Sequence, residues 1–201
     1  MVPTYAHPCL CNSLHSTVPD VALEHAILVS LAERSASGYE LARRFDASIG
    51  NFWKASHQQI YRVLARMEAD RLVDCRAVEQ DGRPDKKEYA ITTAGRAELA
   101  DFTRRPTSPE VLRSELAVKI RALPFGDPET IVEDVRRRRE HHRATLAYYA
   151  DSAERFYPDP DAITDDQVGA WLVLRGGLLA EQAGISWCDE ILERLAEHGP
   201  R

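Results

Sequence analysis

Ser56-His57-Gln58-Gln59-Ile60-Tyr61-Arg62-Val63-Leu64-Ala65-Arg66-Met67-Glu68-Ala69-Asp70-Arg71-Leu72 is the stretch around which the chain is organised. Ser56 is suited to cap a helix with its hydroxyl while Gln59, three residues on, reaches back to the cap, a capping box that marks an abrupt start. From there Ile60, Val63, Leu64 and Met67 share one helical face at i, i+3, i+4, i+7. Gln58, Arg62, Ala65 and Ala69 point the other way, flanked by Tyr61 and Arg66. One face packs. The other carries amide and guanidinium forks, which match base edges, beside small residues that permit deep entry into a major groove. An ordinary surface helix would share much of this pattern, so the flanking elements decide between the two.

Upstream, Asp20 is placed to cap a helix in which Leu23, Ile27 and Leu31 recur every four residues. The polar turn Arg34-Ser35-Ala36-Ser37 closes that helix. Ser37 and Glu40 form a second capping box, followed by Leu41, Phe45 and Ile49 on one face until Gly50-Asn51. Phe52 and Trp53 read as a packing corner. Downstream the period changes to two: residues 72–78 and 86–91 alternate as strands, with a turn over Gln80 to Asp85 between them. Three helices followed by a hairpin whose tip carries Gly82 and Arg83, with Lys86 and Lys87 just beyond, make a winged helix-turn-helix. A helix from near Thr93, with Gly95, Leu99 and Phe102, leads out. Arg104-Arg105-Pro106-Thr107-Ser108-Pro109 marks the domain boundary.

The motifs Ser37-Gly38-Tyr39-Glu40-Leu41-Ala42, Phe52-Trp53-x-x-Ser56-x-x-Gln59-Ile60-Tyr61-x-x-Leu64-x-x-Met67-Glu68 and Arg83-Pro84-x-Lys86-Lys87-x-Tyr89-x-Ile91-Thr92-x-x-Gly95-Arg96 closely resemble the PadR family of bacterial transcriptional regulators. The resemblance covers the winged-helix half nearly end to end. It implies a homodimeric repressor whose recognition helices enter the major groove of double-stranded operator DNA, whose wings follow the backbone, and whose C-terminal helices form the dimer. Two features depart from the family pattern. Arg71 stands where glycine is usual at the helix end, so a left-handed turn there is mildly strained. Asp85 and Glu88 place acid in a wing that is often more basic.

The expected DNA-contacting residues are Tyr39, Lys54, Ser56, Gln58, Gln59, Tyr61, Arg62, Arg66, Arg83, Lys86 and Lys87. Gln58 and Arg62 rank above Gln59, which capping consumes. A dimer is expected to bind an inverted repeat with half-sites about one helical turn apart, near 34–36 Å, or a multiple of it. The alternative is a winged-helix module that binds protein instead of DNA. Cations on both helix and wing, Arg62 with Lys86 and Lys87, favour DNA.

The C-terminal half carries three helical patterns. Ser108-Pro109 opens one through Leu112, Leu116, Ile120 and Leu123, and Asp127-Pro128 caps a long second. Ile131, Val135, His142, Leu146, Tyr149, Ala153 and Phe156 give the second a near-heptad seam. Thr164-Asp165-Asp166-Gln167 reads as a capping box for the third, which runs to about Leu195 and is apolar on two sides. Trp171, Leu174, Leu178, Ile185 and Leu192 form one set, and Leu172, Leu179 and Ile191 the other. Gly169, Gly176, Gly177 and Gly184 each weaken a lone helix by about 1 kcal/mol relative to alanine, so close helix contact is expected to compensate. One side would then face its own chain and the other a partner copy.

The chain has 201 residues, 44% hydrophobic and 29% charged, with a net charge of -6. Any nucleic-acid surface is therefore a local basic patch. The fold class expected is mainly α with a small β-hairpin wing, divided into a tail over 1–19, a winged helix-turn-helix over 20–105 and a helical dimerisation domain over 106–201. Residues 1–19 lack the basic start and apolar run of a signal peptide, and no membrane segment or disulfide framework is evident, so a cytoplasmic location is expected. His7, Cys9, Cys11 and His15 are zinc-ligand types, but Cys-x-Cys is a poor clamp and no metal or cofactor is expected. Arg136-Arg137-Arg138-Arg139 spreads round a helix among Glu133, Asp134 and Glu140 and reads as a solvated, salt-bridged face. Trp53, Tyr149, Trp171 and Trp187 are candidates to line a pocket for a small aromatic effector. No glycine-rich phosphate loop or nucleophile elbow occurs, so an enzyme is not expected.

Overall fold

The computed structural model describes residues 18–45, 55–80, 83–107 and 114–197, with the side chains of 18–22, 79–80 and 83–85 excepted. The chain divides into two compact units between Ser108 and Pro109. The tail cysteines and histidines, the Ile49 to Lys54 corner and the Ser108 to Leu112 helix start lie outside the described residues, as do the Arg83 and Asp85 side chains.

In the first unit, helix α1 spans Val18–Glu33. Asp20 therefore lies inside the helix and not at the position before its start. The two-residue strand β1, Ala36–Ser37, leads into α2, Gly38–Arg44. The capping box is complete here: the Glu40 amide donates to Ser37 Oγ at 3.2 Å and the Ser37 amide donates to Glu40 Oε2 at 2.8 Å. Arg44 ties α2 to the end of α1 by donating to the carbonyls of Ser30, Arg34 and Ser35, which satisfies acceptors that a helix end leaves open. Helix α3, His57–Ala69, follows, and then strands β2, Val73–Gln80, and β3, Arg83–Ile91. The hairpin is longer and its turn tighter than the alternation implies, since Gln80 pairs with Arg83 across a register irregularity after Val78. β3 lies in the middle of a three-stranded antiparallel sheet, because β1 pairs Ala36 with Tyr89 and Ser37 with Glu88. Two residues cannot show a period-two pattern, so this strand read as a turn.

The core of this unit joins Leu23, Ile27, Leu28 and Leu31 of α1 to Leu41, Phe45, Ile60, Val63, Leu64 and Met67, with Val73 and Tyr89 from the sheet. All four apolar positions of α3 are fully covered. The helix stops in a Schellman turn: the Leu72 amide donates to Met67 O at 2.8 Å, the Arg71 amide to Glu68 O at 3.1 Å, and Arg71 takes φ 58°. Helix α4, Thr93–Phe102, is capped by Thr92, whose hydroxyl also donates to Arg71 O at 2.8 Å. Gly95 is required there, since a Cβ would sit 2.2 Å from Leu72 O.

The second unit contains α5, Glu115–Arg121, α6, Pro128–Phe156, and α7, Asp165–Glu197, with short 3-10 turns at Leu123–Phe125 and Pro160–Ala162. α5 begins with Ser114 as its cap, and Leu123 has already left the α-helix. α6 and α7 run antiparallel, with Arg139 paired to Asp189 and His142 to Glu181. Leu116, Ile131, Val135, Cys188 and Ile191 form the core. Ile191 therefore faces its own chain, a correction to its grouping with Leu172 and Leu179. Phe156, expected on the α6 seam, is exposed. The box at the start of α7 is half formed: Gln167 Oε1 accepts from both the amide and the hydroxyl of Thr164. Of the α7 glycines, Gly184 backs onto the His142 ring, whereas Gly169 and Gly176 have open space where a Cβ would be.

Candidate nucleic-acid interface

α3 is held in one orientation by its core face and its capping box. The Gln59 amide donates to Ser56 Oγ at 3.2 Å and Gln59 Oε1 accepts from the Ser56 amide at 2.8 Å, so the side chain of Gln59 is spent on the cap. Gln58, Tyr61 and Arg62 are exposed on the outward face. Among the described residues Arg62 has no ion-pair partner. Tyr61 lies over Gly38 at the start of α2, where a Cβ would fall 2.3 Å from its ring. This contact sets the approach of the two helices, with Tyr39 standing 59% exposed alongside. Lys54 and the Arg83 side chain are outside the described residues.

The cations expected at the interface fall into two groups. Arg66 is tied back to α1 by an ion pair with Glu24 at 3.0 Å, so it braces α3 and reaches outward only by leaving that partner. Lys86 Nζ donates to Glu40 Oε1 at 2.7 Å, joining the wing to the first turn of α2. The Lys86 ammonium, with help from the Ser37 amide, holds the Glu40 carboxyl down at about 2, so the pair is fully charged at neutral pH. Lys87, one residue on and on the other face of β3, is exposed and has no ion-pair partner among the described residues. Glu88 pairs with Arg76 across the hairpin, with Arg76 Nε donating to Glu88 Oε2 at 2.8 Å. Glu88 is thus occupied within the sheet. Sequence spacing did not reveal the Lys86–Glu40 pair, because its members are far apart in the chain and meet only through the β1–β3 ladder.

Exposed Gln58, Tyr61 and Arg62 on a helix with a fixed inner face, next to an unpaired lysine on a twisted hairpin, can hydrogen-bond base edges and neutralise phosphate. No group of three or more histidines, cysteines and acids that could hold a metal occurs among the described residues, and none of their helices is long and apolar enough to cross a membrane.

Of the aromatics expected at an effector pocket, Trp171 and Trp187 stand apart within one chain. Tyr149 is buried, and Trp171 packs against Tyr157 with ring centroids 5.4 Å apart. Trp187 is 39% exposed and lies sixteen residues beyond Trp171 on the continuous helix α7. That separation is about 24 Å of rise, too far for one small ligand. Trp53 lies outside the described residues. A cavity of about 400 Å³ in the second unit is lined by other residues: Val132, Arg136, Arg139, Leu192, Leu195 and Ala196.

Residues 27–101 match the family described as Transcriptional regulator PadR-like family, and residues 112–196 match Virulence activator alpha C-term. The chain is 46% identical over 187 residues to a probable transcriptional regulator, Rv1176c, of Mycobacterium tuberculosis, covering 88% of this chain and 99% of that one. It is similar in structure to the Vibrio cholerae virulence activator AphA, with TM-score 0.75, 36% identity and coverage of 88% and 99%. Bacillus subtilis PadR, named a negative transcriptional regulator, is 30% identical over 86% of this chain and 97% of its own. Its crystal structure with operator DNA superposes with TM-score 0.76 at 27% identity, covering 87% and 99%. Its structure with p-coumaric acid gives TM-score 0.72 at 25% identity, covering 90% and 99%.

Proposed function

Because the chain belongs to the PadR-like family of transcriptional regulators, we propose that it works in the cytoplasm as a homodimer that binds an inverted-repeat operator and represses transcription there until a small aromatic acid releases it. The observation that carries the DNA-binding part is the outward face of α3. Its inner four positions are fully covered, which leaves Gln58, Tyr61 and Arg62 free to enter a major groove with Lys87 beside the backbone. A module that binds only protein has little use for unpaired cations on both helix and wing.

Dimerisation is supported by α7. Val168, Leu172, Val173 and Leu179 are 40–60% exposed, and Gly169 and Gly176 offer open backbone among them. Covering such a band against a second copy yields several kcal/mol at roughly 25 cal/mol per Å². The repressor reading takes its support from the negative regulator PadR, and the aromatic acid from that protein's complex with p-coumaric acid. Activation is the second reading, favoured by 36% identity to a virulence activator along nearly that protein's whole length.

The test combines two measurements on the full chain. Sedimentation at micromolar concentration is expected to give a dimer, and a monomer would refute that part. A reporter driven by the operator, in cells with and without the protein, is expected to rise on deletion and on addition of p-coumarate. A fall on deletion establishes the activator, and a loss of binding to every DNA fragment tried would refute the reading as a DNA-binding regulator.

A further inference from the structure

The cavity of about 400 Å³ in the second unit is within the range of about 300–1,000 Å³ usual for small-molecule sites. Val132, Leu192, Leu195 and Ala196 give it apolar walls, while Arg136 and Arg139, one turn apart on α6, supply its polar end. Among the described residues no acidic side chain lines it.

The two arginines differ. Arg139 is three-quarters covered and donates from Nη1 to Asp189 Oδ1 at 2.9 Å, which neutralises its charge. Its Nε is buried and has no hydrogen-bond partner, since Glu140 Oε1 stands too far away at 3.6 Å. A buried donor left without an acceptor is costly, and native structures usually give such a group a partner. Arg136 is exposed and has no ion pair among the described residues. The cavity thus holds one uncompensated cation, Arg136, beside apolar walls.

We propose that this cavity binds a monoanion with an apolar body, an alkyl or aryl monocarboxylate, whose carboxylate is taken by the Arg136 fork and whose body lies along Leu192, Leu195 and Val132. A planar guanidinium matches a carboxylate with two parallel hydrogen bonds. One free positive charge suits one negative charge and leaves a dianion such as inorganic phosphate overcharged. A nucleic-acid backbone would find only Val132, Leu192, Leu195 and Ala196 on the walls, so Arg136 serves a small organic acid and not DNA. The site shares none of its lining with the aromatics Tyr149, Trp171 and Trp187. Its occupancy is measured independently of any release from the operator.

The experiment is titration calorimetry of the full-length protein with sodium octanoate and sodium cinnamate, against octan-1-ol, octylammonium and inorganic phosphate. At least one of the two carboxylates is expected to bind once per chain with Kd below about 1 mM, and the three controls at least about tenfold more weakly. Arg136→Gln is expected to weaken carboxylate binding about tenfold, the loss of a charged hydrogen bond. Arg138→Gln, two residues on and off the lining, is expected to leave it unchanged. Ala196→Trp, at an exposed position, is expected to fill the cavity and abolish binding without lowering Tm. Equal affinity for octan-1-ol, equal effects of the Arg136 and Arg138 variants, or no saturable binding of either carboxylate up to about 10 mM would overturn the proposal.

Discussion

Replacing Glu40 with glutamine is expected to tighten DNA binding without touching any DNA-facing residue. Lys86 Nζ is 2.7 Å from Glu40 Oε1, and that carboxylate is ionised at every pH above about 2, so Lys86 reaches phosphate only by giving up a charged partner. Glutamine keeps an acceptor for the Ser37 amide and so preserves the cap of α2. Each phosphate neutralised steepens the dependence of log K on log salt by roughly 0.9. Freed lysines on the two wings of a dimer therefore add roughly 1.8 to the slope, about tenfold in the drop of affinity between 50 and 200 mM salt. The exposed pair itself is worth less than about 1 kcal/mol, so Tm should barely move. Fluorescence anisotropy with a fixed operator fragment at several salt concentrations measures the slope. Adding Lys86→Ala to Glu40→Gln should return the slope to the parental value. A Glu40→Gln protein with parental Tm and parental slope would show that Lys86 makes no phosphate contact and that its pairing with Glu40 is purely structural.

Further expectations concern stability. Since Glu40 is depressed from 4.5 to about 2 when folded, its contribution is present above pH 4.5 and is lost as pH falls toward 2. The parent should accordingly lose up to about 1 kcal/mol relative to Glu40→Gln over that window, and an unchanged difference in urea titration would refute the pairing. Arg71→Gly should stabilise by about 1 kcal/mol by relieving the left-handed conformation at φ 58° that ends α3, and equal or lower stability in urea titration would contradict it. Gly95→Ala should destabilise by at least about 1–3 kcal/mol, because its Cβ would fall 2.2 Å from the Leu72 carbonyl that β2 and Thr92 hold in place.

What could be read from the sequence divides by range. The faces of α3 were legible because four apolar positions at helical spacing and a capping box lie within a dozen residues, and the same holds for the box at Ser37 and Glu40. Arg71 was readable as a strained helix end from the family resemblance, which has glycine at that position. Strand β1 was not legible, since two residues carry no period, and without it nothing brings Glu40 to Lys86. In α7 the apolar residues fall on more than one side, so the wheel could not say that Ile191 joins Cys188 in the core while Leu172 and Leu179 stay outside. The separation of the aromatics was hidden for a different reason: Trp171 and Trp187 have suitable chemistry, but one continuous helix keeps them apart within a chain. The Arg136 to Arg139 run read as a solvated face, and Arg137 does pair with Asp134, yet the packing of α6 on α7 turns Arg136 and Arg139 toward a cavity.

The central claim is that the exposed face of α3 reads bases, and the most direct measurement is selection of binding sites from randomised duplex DNA by the parent and by Arg62→Ala. Arg62 is exposed, on the face opposite the buried positions of its helix and without an ion pair among the described residues, so its loss should leave folding and non-specific binding intact. The parent should recover an inverted repeat with half-sites about one helical turn, near 34–36 Å, or a multiple of it apart. Arg62→Ala should lose roughly 1–3 kcal/mol of discrimination at one base position in each half-site. An identical base preference in the two selections would contradict the account, because it would make Arg62 at most a phosphate contact and put the reading surface elsewhere.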